Sequence, residues 1–297
     1  MNQRSLSRRQ LWIQGARPRT LPAAIAPVLV GAGAAVGVSS DGPSWWLAVF
    51  ALIVSLALQV GVNYANDYQD GIRGTDSQRI GPMRLVGSGA VPAHQVKYAA
   101  FLAFGVAALA GLVIAAATSW WLILIGAFCI IAGWGYTGGP SPYGYLGLGE
   151  VFVFVFFGLV ATTGTTFAIV QTVTLESVIA AVGVGSLACA LLVINNLRDI
   201  PGDSRSGKQT LAVRLGDRTT RGVYIFLIAI TAVAMLVVSL QRPFAIAGLT
   251  GLIAVLPGII AIRRGAKGRD LIPVLEATGK AQLVGAIFMA VGLAMGG

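Results

Sequence analysis

The stretch "NNLRDIPGD" (residues 195–203) ends an apolar run, "SVIAAVGVGSLACALLVI" (residues 177–194), that contains no charged side chain. A second stretch of this kind, "NYANDYQDG" (residues 63–71), ends the apolar run "WWLAVFALIVSLALQVGV" (residues 45–62). Each run is long enough to cross ~30 Å of hydrocarbon as a helix. The carboxylates, amides and arginine at the two ends need an explanation, because ionisable groups at membrane depth are costly and usually functional.

The composition also indicates a membrane protein. Of 297 residues, 56% are hydrophobic and 11% are charged, whereas soluble domains carry about 25% charged residues. The net charge of +10 is typical of basic cytoplasmic loops in a membrane protein, so we expect no nucleic-acid partner. Cys129 and Cys189 both lie inside apolar runs and give neither a disulfide framework nor a metal-ligand spacing.

Nine hydrophobic spans are predicted along the chain. Because backbone groups in lipid must be satisfied within their own segment, these spans should be helices. We therefore predict an all-α membrane protein with a single transmembrane domain over residues 1–297. The spans lie near residues 20–38, 45–66, 96–117, 120–137, 146–170, 177–197, 222–240, 243–262 and 281–296.

The distribution of basic residues predicts the orientation. With the N-terminus in the cytoplasm, all but one of the 21 Lys and Arg residues fall on the cytoplasmic side, and Arg242 falls outside. This is the bias that the positive-inside rule describes. The same distribution supports an odd number of spans, because an even number would not keep the later basic loops on the cytoplasmic side.

The two polar stretches share a spacing. Asn63, Asp67 and Asp70 stand at i, i+4 and i+7, which places them on one face of a helix. Asn195 and Asp199 repeat the i, i+4 pair. We expect Asp203 to follow a helix break at Pro201 and Gly202, with Asp76 in the corresponding late position of the first copy. Four spans separate the copies, which suggests a four-helix unit used twice, followed by a final helix.

Clustered carboxylates at one membrane boundary repel each other and require a cation. Oxygen ligands without His or Cys suit Mg²⁺, which is typically bound by a few carboxylates together with substrate phosphates. Basic residues beside the acids can contact the same phosphates. They are Arg73, Arg79, Arg84, Arg198, Arg205 and Lys208. The pattern predicts a diphosphate whose long isoprenoid tail lies in the bilayer.

Other interpretations remain open at this point. Either cluster alone could be a helix end that meets water, although two matching copies disfavour this. A cation-coupled transporter also uses intramembrane acids and repeats, but its charges lie near the midplane on broken helices. Phosphatidyltransferases that use CDP-alcohols carry their acids in one stretch, whereas here two distant copies appear.

The residues resemble the UbiA superfamily of intramembrane prenyltransferases over nearly the whole chain. Within it, they are most similar to the branch that prenylates 1,4-dihydroxy-2-naphthoate in menaquinone synthesis. Four stretches carry the resemblance: "ARPRTLPAAIAPVLVG" (16–31), "NYANDYQDGIRGTD" (63–76), "YTGGPSPYGYLGLGE" (136–150) and "NNLRDIPGDSRSGKQTLAVRLG" (195–216). "GPMRLVGSG" (81–89) adds to the similarity with the naphthoate branch.

The resemblance implies nine helices around a central cavity, covered on the cytoplasmic side by cap loops over 67–95 and 198–220. It also implies a Mg²⁺-dependent transfer of a polyprenyl group from a polyprenyl diphosphate to the naphthoate ring, with loss of diphosphate and CO₂, giving demethylmenaquinone. The enzyme would sit in a bacterial plasma membrane with its site toward the cytoplasm. Related acceptors such as 4-hydroxybenzoate or homogentisate stay open, and no motif gives the prenyl length or oligomeric state.

The resemblance also assigns roles to individual residues. The implied metal ligands are Asn63, Asp67, Asp70, Asp76, Asn195, Asp199 and Asp203. The residues expected to bind the diphosphate or to act in catalysis are Arg17, Arg84, Arg198, Arg205 and Lys208, with Asp67 and Asp199. Tyr136 and Tyr145 are candidates for the ring pocket. Glu150 either occupies a helix N-terminus, where a carboxylate is favoured, or serves the acceptor.

Overall fold

The computed structural model describes residues 7–38, 42–74 and 83–296, and every regular element in these ranges is a helix. The predicted site residues Asp76 and Arg79 lie outside the described residues. The α-helices are α1 Arg8–Ala16, α2 Pro22–Ala34, α3 Trp45–Ile72, α4 Ala93–Ala117, α5 Trp121–Gly135, α6 Gly149–Val153, α7 Ala161–Val170, α8 Leu175–Arg205, α9 Leu211–Ser239, α10 Leu256–Arg263 and α11 Ile272–Met295.

Shorter helical types connect several of these elements. A π-helical segment, Phe154–Val160, joins α6 to α7 without a break. A 3₁₀ stretch, Pro243–Val255, leads into α10. Single 3₁₀ turns occur at Pro18–Thr20, Tyr143–Leu146 and Gly268–Leu271.

Seven helical segments of the described chain are long and apolar enough to cross a membrane. They are Trp45–Ile72, Ala93–Ala117, Gly149–Val170, Leu175–Arg205, Leu211–Ser239, Pro243–Arg263 and Gly268–Met295. The predicted spans 20–38 and 120–137 correspond to apolar helices that are shorter, Pro22–Ala34 and Trp121–Gly135. The multi-pass all-helical architecture is thus confirmed, whereas the count of nine spanning helices stays a prediction.

The predicted helix break at Pro201 and Gly202 is wrong. Helix α8 continues through Pro201 to Arg205. A proline in a helix lacks an N–H and so loses one backbone hydrogen bond, and here the following turn still forms. Asp203 therefore stands on the same helix as Asn195 and Asp199, again at a spacing of four.

The two predicted cap ranges differ in how much helix their described residues contain: 198–220 is largely helical, whereas the described part of 67–95 is helical only at its two ends. The first contains the last turns of α3, the irregular residues 83–92 and the start of α4. The second contains the end of α8, a short link at 206–210 and the beginning of α9. Helix α9 is kinked at Gly216, whose φ of 75° is left-handed and suits glycine, which has no Cβ.

Helix α8 lies at the centre of the bundle. It packs along α9, and it also contacts α2, α7, α11 and the π-helical segment. Close approach depends on small residues, as is common where helices pack in membranes. A Cβ on Gly185 would lie 3.0 Å from Cα of Gly158 on the π-helical segment. The polar ends of α8 and α3 line the same cavity.

Candidate active site

One large cavity, about 2150 Å³ in volume, opens where α3 and α8 end. Its upper part is polar and its lower part extends along α3 as far as Ala51. The distance from Asp70 to Ala51 is 19 residues of helix, or ~28 Å. The predicted site residues that line the cavity are Arg17, Asn63, Asp67, Asp70, Arg84, Tyr136, Tyr145, Asn195, Arg198, Asp199, Asp203, Arg205 and Lys208.

Asp70 connects the two polar stretches. Its Oδ1 atom accepts hydrogen bonds from the Tyr145 hydroxyl at 2.7 Å and from Nζ of Lys208 at 2.9 Å. The Lys208 ammonium also lies 4.7 Å from the centroid of the Tyr145 ring, within range for a cation–π contact. Burial opposes the charge on Lys208, but Asp70, Tyr145 and Asp203 together outweigh it, and the pKa of Lys208 is raised. Lys208 is therefore a cation at neutral pH.

Asp67 holds the segment that follows α3. Its two carboxylate oxygens each accept a backbone N–H bond of 2.9 Å, from Leu85 and from Val86. Both Asp67 and Leu85 are almost fully buried. These bonds position the neighbouring Arg84, which is itself buried and lines the cavity.

Asp199 forms an ion pair with the adjacent Arg198. Nε and Nη2 of Arg198 donate to the two carboxylate oxygens at 2.7 and 2.8 Å. Nη2 also donates to Oδ1 of Asn195 at 2.7 Å. This two-pronged geometry is the strong form of an arginine–carboxylate pair. The guanidinium is buried, so it is held at the mouth of the cavity rather than in water.

Arg17 occupies an unusual backbone conformation at the end of α1. Its φ of 53° and ψ of 69° are left-handed, which is uncommon for a residue with a Cβ and is disfavoured before proline. Nη2 of Arg17 approaches the carbonyl oxygen of Asn63 at 3.4 Å. The Asn63 amide donates to Ala16 O at 2.9 Å and to Thr20 Oγ1 at 3.0 Å, which fastens this turn to α3.

The segment 136–146, in which Tyr136 and Tyr145 were predicted site residues, forms a third wall of the polar end. Arg73 donates to the carbonyl oxygens of Thr137 and Gly139 at 2.7 and 2.6 Å. The Thr137 hydroxyl donates to Oδ1 of Asn66 at 2.7 Å. The missed residues, Asn66 and Thr137, are buried and line the cavity. Asn66 precedes Asp67 in the motif, but its role depends on a residue 71 positions away.

Glu150 does not line this cavity, and of the other predicted site residues that the structure describes only Arg73 is also absent from its lining. It is buried in the first turn of α6, and its Oε1 atom accepts a 2.9 Å hydrogen bond from Nδ2 of Asn196. Asn196 does line the cavity, although it was not among the predicted site residues. Glu150 thus lies in the first turn of its helix, as predicted, and its side chain accepts an amide from α8.

The donor set at the polar end fits a hydrated divalent cation that is shared with a ligand. Within the described ranges, no group of three His, Cys, Asp or Glu side chains forms a ready metal cage. The oxygens that face the cavity come from Asp and Asn side chains of both motifs, the hard ligands that Mg²⁺ prefers. Mg²⁺ usually keeps waters and completes its shell with phosphate oxygens, so a closed protein cage is not required.

The lower part of the cavity is apolar. Its walls come from α4, α5, the π-helical segment and α7. Several lining positions are small, including Ala107, Gly111, Gly126 and Gly164. The cavity thus joins a charged mouth to a long apolar chamber, a combination that suits an amphiphile with an anionic head.

Comparison with known proteins agrees with this geometry. The model of the UbiA prenyltransferase family matches residues 24–272. The chain is 51% identical over 285 residues to 1,4-dihydroxy-2-naphthoate octaprenyltransferase of Mycobacterium tuberculosis, covering 96% of this chain and 97% of that one. The protein of the same name from Escherichia coli is 37% identical over 235 residues, covering 74% and 73% of the two chains.

Solved structures show the same fold. A UbiA homolog from Archaeoglobus fulgidus, bound to GPP and Mg²⁺, superposes with a TM-score of 0.68 at 18% identity, covering 96% of this chain and 99% of that one. The apo structure of a UbiA homolog from Aeropyrum pernix K1 gives a TM-score of 0.69 at 13% identity, covering 98% and 99%. The helical bundle, the paired acidic helix ends and the family match over most of the chain lead to one conclusion: the chain belongs to the UbiA prenyltransferase family.

Proposed function

We propose that this protein transfers a polyprenyl group from a polyprenyl diphosphate to 1,4-dihydroxy-2-naphthoate, with release of diphosphate and CO₂. The observation that carries the proposal is the cavity, in which acids and bases from two distant helices surround the mouth of an apolar chamber. The names of the relatives with 51% and 37% identity support the naphthoate as acceptor. The reaction belongs to menaquinone synthesis.

The bases at the mouth hold the diphosphate. Charge grows on this leaving group as the C–O bond breaks, so fixed positive groups that stabilise it should supply the largest catalytic contribution. Arg17, Arg84, Arg198, Arg205 and Lys208 are the candidates, and all five line the mouth. Lys208 and Arg198 are now paired with Asp70 and Asp199. We expect them to turn toward phosphate oxygens when the substrate arrives.

The carboxylates are the proposed Mg²⁺ ligands. Asn63, Asp67 and Asp70 would serve one metal-binding motif and Asn195, Asp199 and Asp203 the other, each holding Mg²⁺ together with waters and diphosphate oxygens. Asp76, which lies outside the described residues, is a further proposed ligand of the first motif. When bound, Mg²⁺ would neutralise the charge that develops on the leaving group. The Mg²⁺-bound homolog structure supports this choice of metal.

The remaining steps follow from the substrates. Heterolysis of the C–O bond leaves an allylic cation, and the electron-rich ring attacks it at the carbon that bears the carboxylate. The new C–C bond replaces the bond to CO₂, whose electron pair returns to the ring. The direct product is the hydroquinone, and removal of two electrons and two protons by an external oxidant gives demethylmenaquinone. The apolar chamber protects the cation by excluding water.

A direct assay tests this function. Membranes that contain the protein are supplied with octaprenyl diphosphate, Mg²⁺ and one acceptor at a time, and prenylated product and CO₂ are measured. We expect both only with 1,4-dihydroxy-2-naphthoate, and neither from membranes that carry Asp199→Asn. Transfer to 4-hydroxybenzoate or homogentisate alone would reassign the acceptor. If no acceptor is prenylated, the proposed prenyltransferase activity is contradicted and a transporter is favoured.

We further propose that the protein lies in a bacterial plasma membrane with its N-terminus and active site on the cytoplasmic side. The distribution of Lys and Arg supports this orientation. A tag at Gly297 should be accessible from outside intact cells, whereas a tag at Met1 should not be. The reverse accessibility would overturn the orientation without affecting the chemistry.

A further inference from the structure

The contact between Glu150 and Asn196 sits beside the reaction chamber, and the proposed chemistry does not use it. Glu150 is 8% exposed and Asn196 is 7% exposed. Oε1 of Glu150 accepts the amide of Asn196, whereas its Oε2 atom is buried without a hydrogen-bond partner among the described residues. An unsatisfied buried oxygen costs about 1–3 kcal/mol, which a methionine at this position would avoid.

The carboxylate of Glu150 determines which way the Asn196 amide faces. Only the NH₂ group of an asparagine side chain can donate, and the oxygen that receives it belongs to Glu150. The amide nitrogen therefore points behind the wall of the cavity, because Asn196 lines the cavity and Glu150 does not. The carbonyl oxygen, Oδ1, is the atom that Asn196 can offer to a ligand.

The surroundings make this arrangement rigid. Sγ of Cys189 donates to the backbone carbonyl of Glu150 at 3.0 Å. Cys189 and Asn196 are two turns apart on one face of α8, so α6 is attached to α8 at both points. A Cβ on Gly149 would lie 3.4 Å from Cδ2 of Leu192, so α6 also packs closely there.

A carbonyl oxygen selects a hydrogen-bond donor. The isoprenoid tail has no polar group, and an ionised diphosphate offers only acceptors. A phenolic hydroxyl on the aromatic acceptor is the one donor that the proposed substrates contain. Asn196 is also turned about 100° around α8 from its neighbour Asn195, which separates it from the row of metal-ligand candidates.

We propose that Oδ1 of Asn196 accepts a hydrogen bond from a ring hydroxyl of the aromatic acceptor, and that Glu150 is a positioning residue that keeps the amide in this orientation. The inference rests on the proposed function and assigns an acceptor contact within the same cavity. The bond would place the ring beside the allylic end of the donor and would lend electron density to the ring as it attacks.

The test compares Asn196→Leu with the wild type, using 1,4-dihydroxy-2-naphthoate and its two mono-O-methyl ethers. With the wild type, one ether should lose about tenfold in kcat/KM relative to the dihydroxy acceptor, the amount expected for one hydrogen bond of this strength. With Asn196→Leu, the dihydroxy acceptor should lose the same factor and that ether should lose nothing further. Such coupling identifies a direct contact.

Glu150→Met is the second variant. It removes the partner that orients the amide, so it should reduce the same coupling although residue 150 does not reach the cavity. Glu150→Gln can still accept the Asn196 amide and should restore most of the coupling. Ser186→Ala is the matched control, because Ser186 is buried on α8, the helix that carries Asn196, and does not line the cavity. This variant should behave as the wild type. In every variant the KM for octaprenyl diphosphate should stay within about twofold.

Three results would overturn the inference. In the first, the fold losses in kcat/KM from Asn196→Leu and from methylation of the acceptor multiply, which would show that Asn196 does not contact the ring hydroxyl. A raised Mg²⁺ requirement in Asn196→Leu would make Asn196 a metal ligand instead. A coupling that survives in Glu150→Met would remove the positioning role. Failure of the wild type to use the naphthoate at all would refute the proposed function, which is a different outcome.

Discussion

Nζ of Lys208 lies 2.9 Å from Oδ1 of Asp70, although 138 positions separate the two residues in the chain. This ion pair brings the end of α3 together with the link that follows α8. Each acidic motif thus contacts a base at the same mouth, Lys208 for Asp70 and Arg198 for Asp199. The proposed diphosphate site depends on this convergence.

Replacing one acid of either motif should stop turnover. Asp199→Asn and Asp67→Asn each remove a charge from the proposed metal site, and we expect activity to fall by at least about 10²-fold, the scale of losing one group that stabilises developing charge. Prenyl transfer per amount of membrane-inserted protein is the measurement. Asp217→Asn is the matched control, because Asp217 pairs with Arg221 on α9 outside the cavity.

Removal of divalent ions should abolish the activity of the intact enzyme. EDTA should reduce prenyl transfer to background, and added Mg²⁺ should restore it, because the proposed carboxylate ligands otherwise repel the diphosphate. Titration of activity against free Mg²⁺ is the measurement. Full activity in the presence of excess chelator would contradict the metal assignment.

Arg17→Gly should raise stability and lower activity. Glycine adopts the left-handed conformation of residue 17 without a steric penalty, which should add about 1 kcal/mol to the free energy of unfolding. Loss of the guanidinium removes a proposed phosphate contact, so kcat/KM should drop. Thermal unfolding in detergent and prenyl transfer are measured on the same sample.

Gln171 provides the control for Arg17. It also has a φ of 53°, but it is exposed at the end of α7 and does not line the cavity. Gln171→Gly should therefore raise stability and leave activity unchanged. A loss of activity in both variants would contradict the assignment, because it would show that the loss in Arg17→Gly does not come from the missing guanidinium.

Gly111→Phe should shorten the donor that the enzyme can use. Gly111 lines the apolar chamber, and no atom lies within 4 Å of a Cβ built there, so a phenyl ring would enter empty space. The position is 18 residues from the start of α4, or ~27 Å along the helix. We expect kcat/KM to fall for octaprenyl diphosphate and to hold for geranyl diphosphate, measured in parallel assays.

Gly105→Phe is the matched control for this change. Gly105 lies on the same helix and also has open space around its Cβ position, but it is exposed and does not line the cavity. We expect Gly105→Phe to keep the wild-type ratio of kcat/KM for octaprenyl diphosphate and geranyl diphosphate. An unchanged donor preference in Gly111→Phe would place the isoprenoid tail elsewhere.

Local patterns in the sequence predicted most of the helices, and together with the family resemblance they named most of the polar residues that line the cavity. A long apolar run that ends in Asn and Asp four residues apart predicts a helix for that segment alone. Both such segments form helices, α3 and α8. Pro201 misled the prediction: an interior proline loses one backbone hydrogen bond and its ring clashes with the carbonyl of residue i−4, yet α8 continues to Arg205. The left-handed Arg17 had no sequence signal, since Gly is the usual residue there.

The sequence by itself determined that this is a multi-pass helical protein with two acid-bearing helix ends, because hydropathy and helical periodicity depend on residues a few positions apart. Only the tertiary structure decided which groups meet: Lys208 with Asp70, Thr137 with Asn66, and Asn196 with Glu150. Those pairs join residues 46 to 138 positions apart. Their contacts follow from how whole helices pack, and no local pattern encodes that packing.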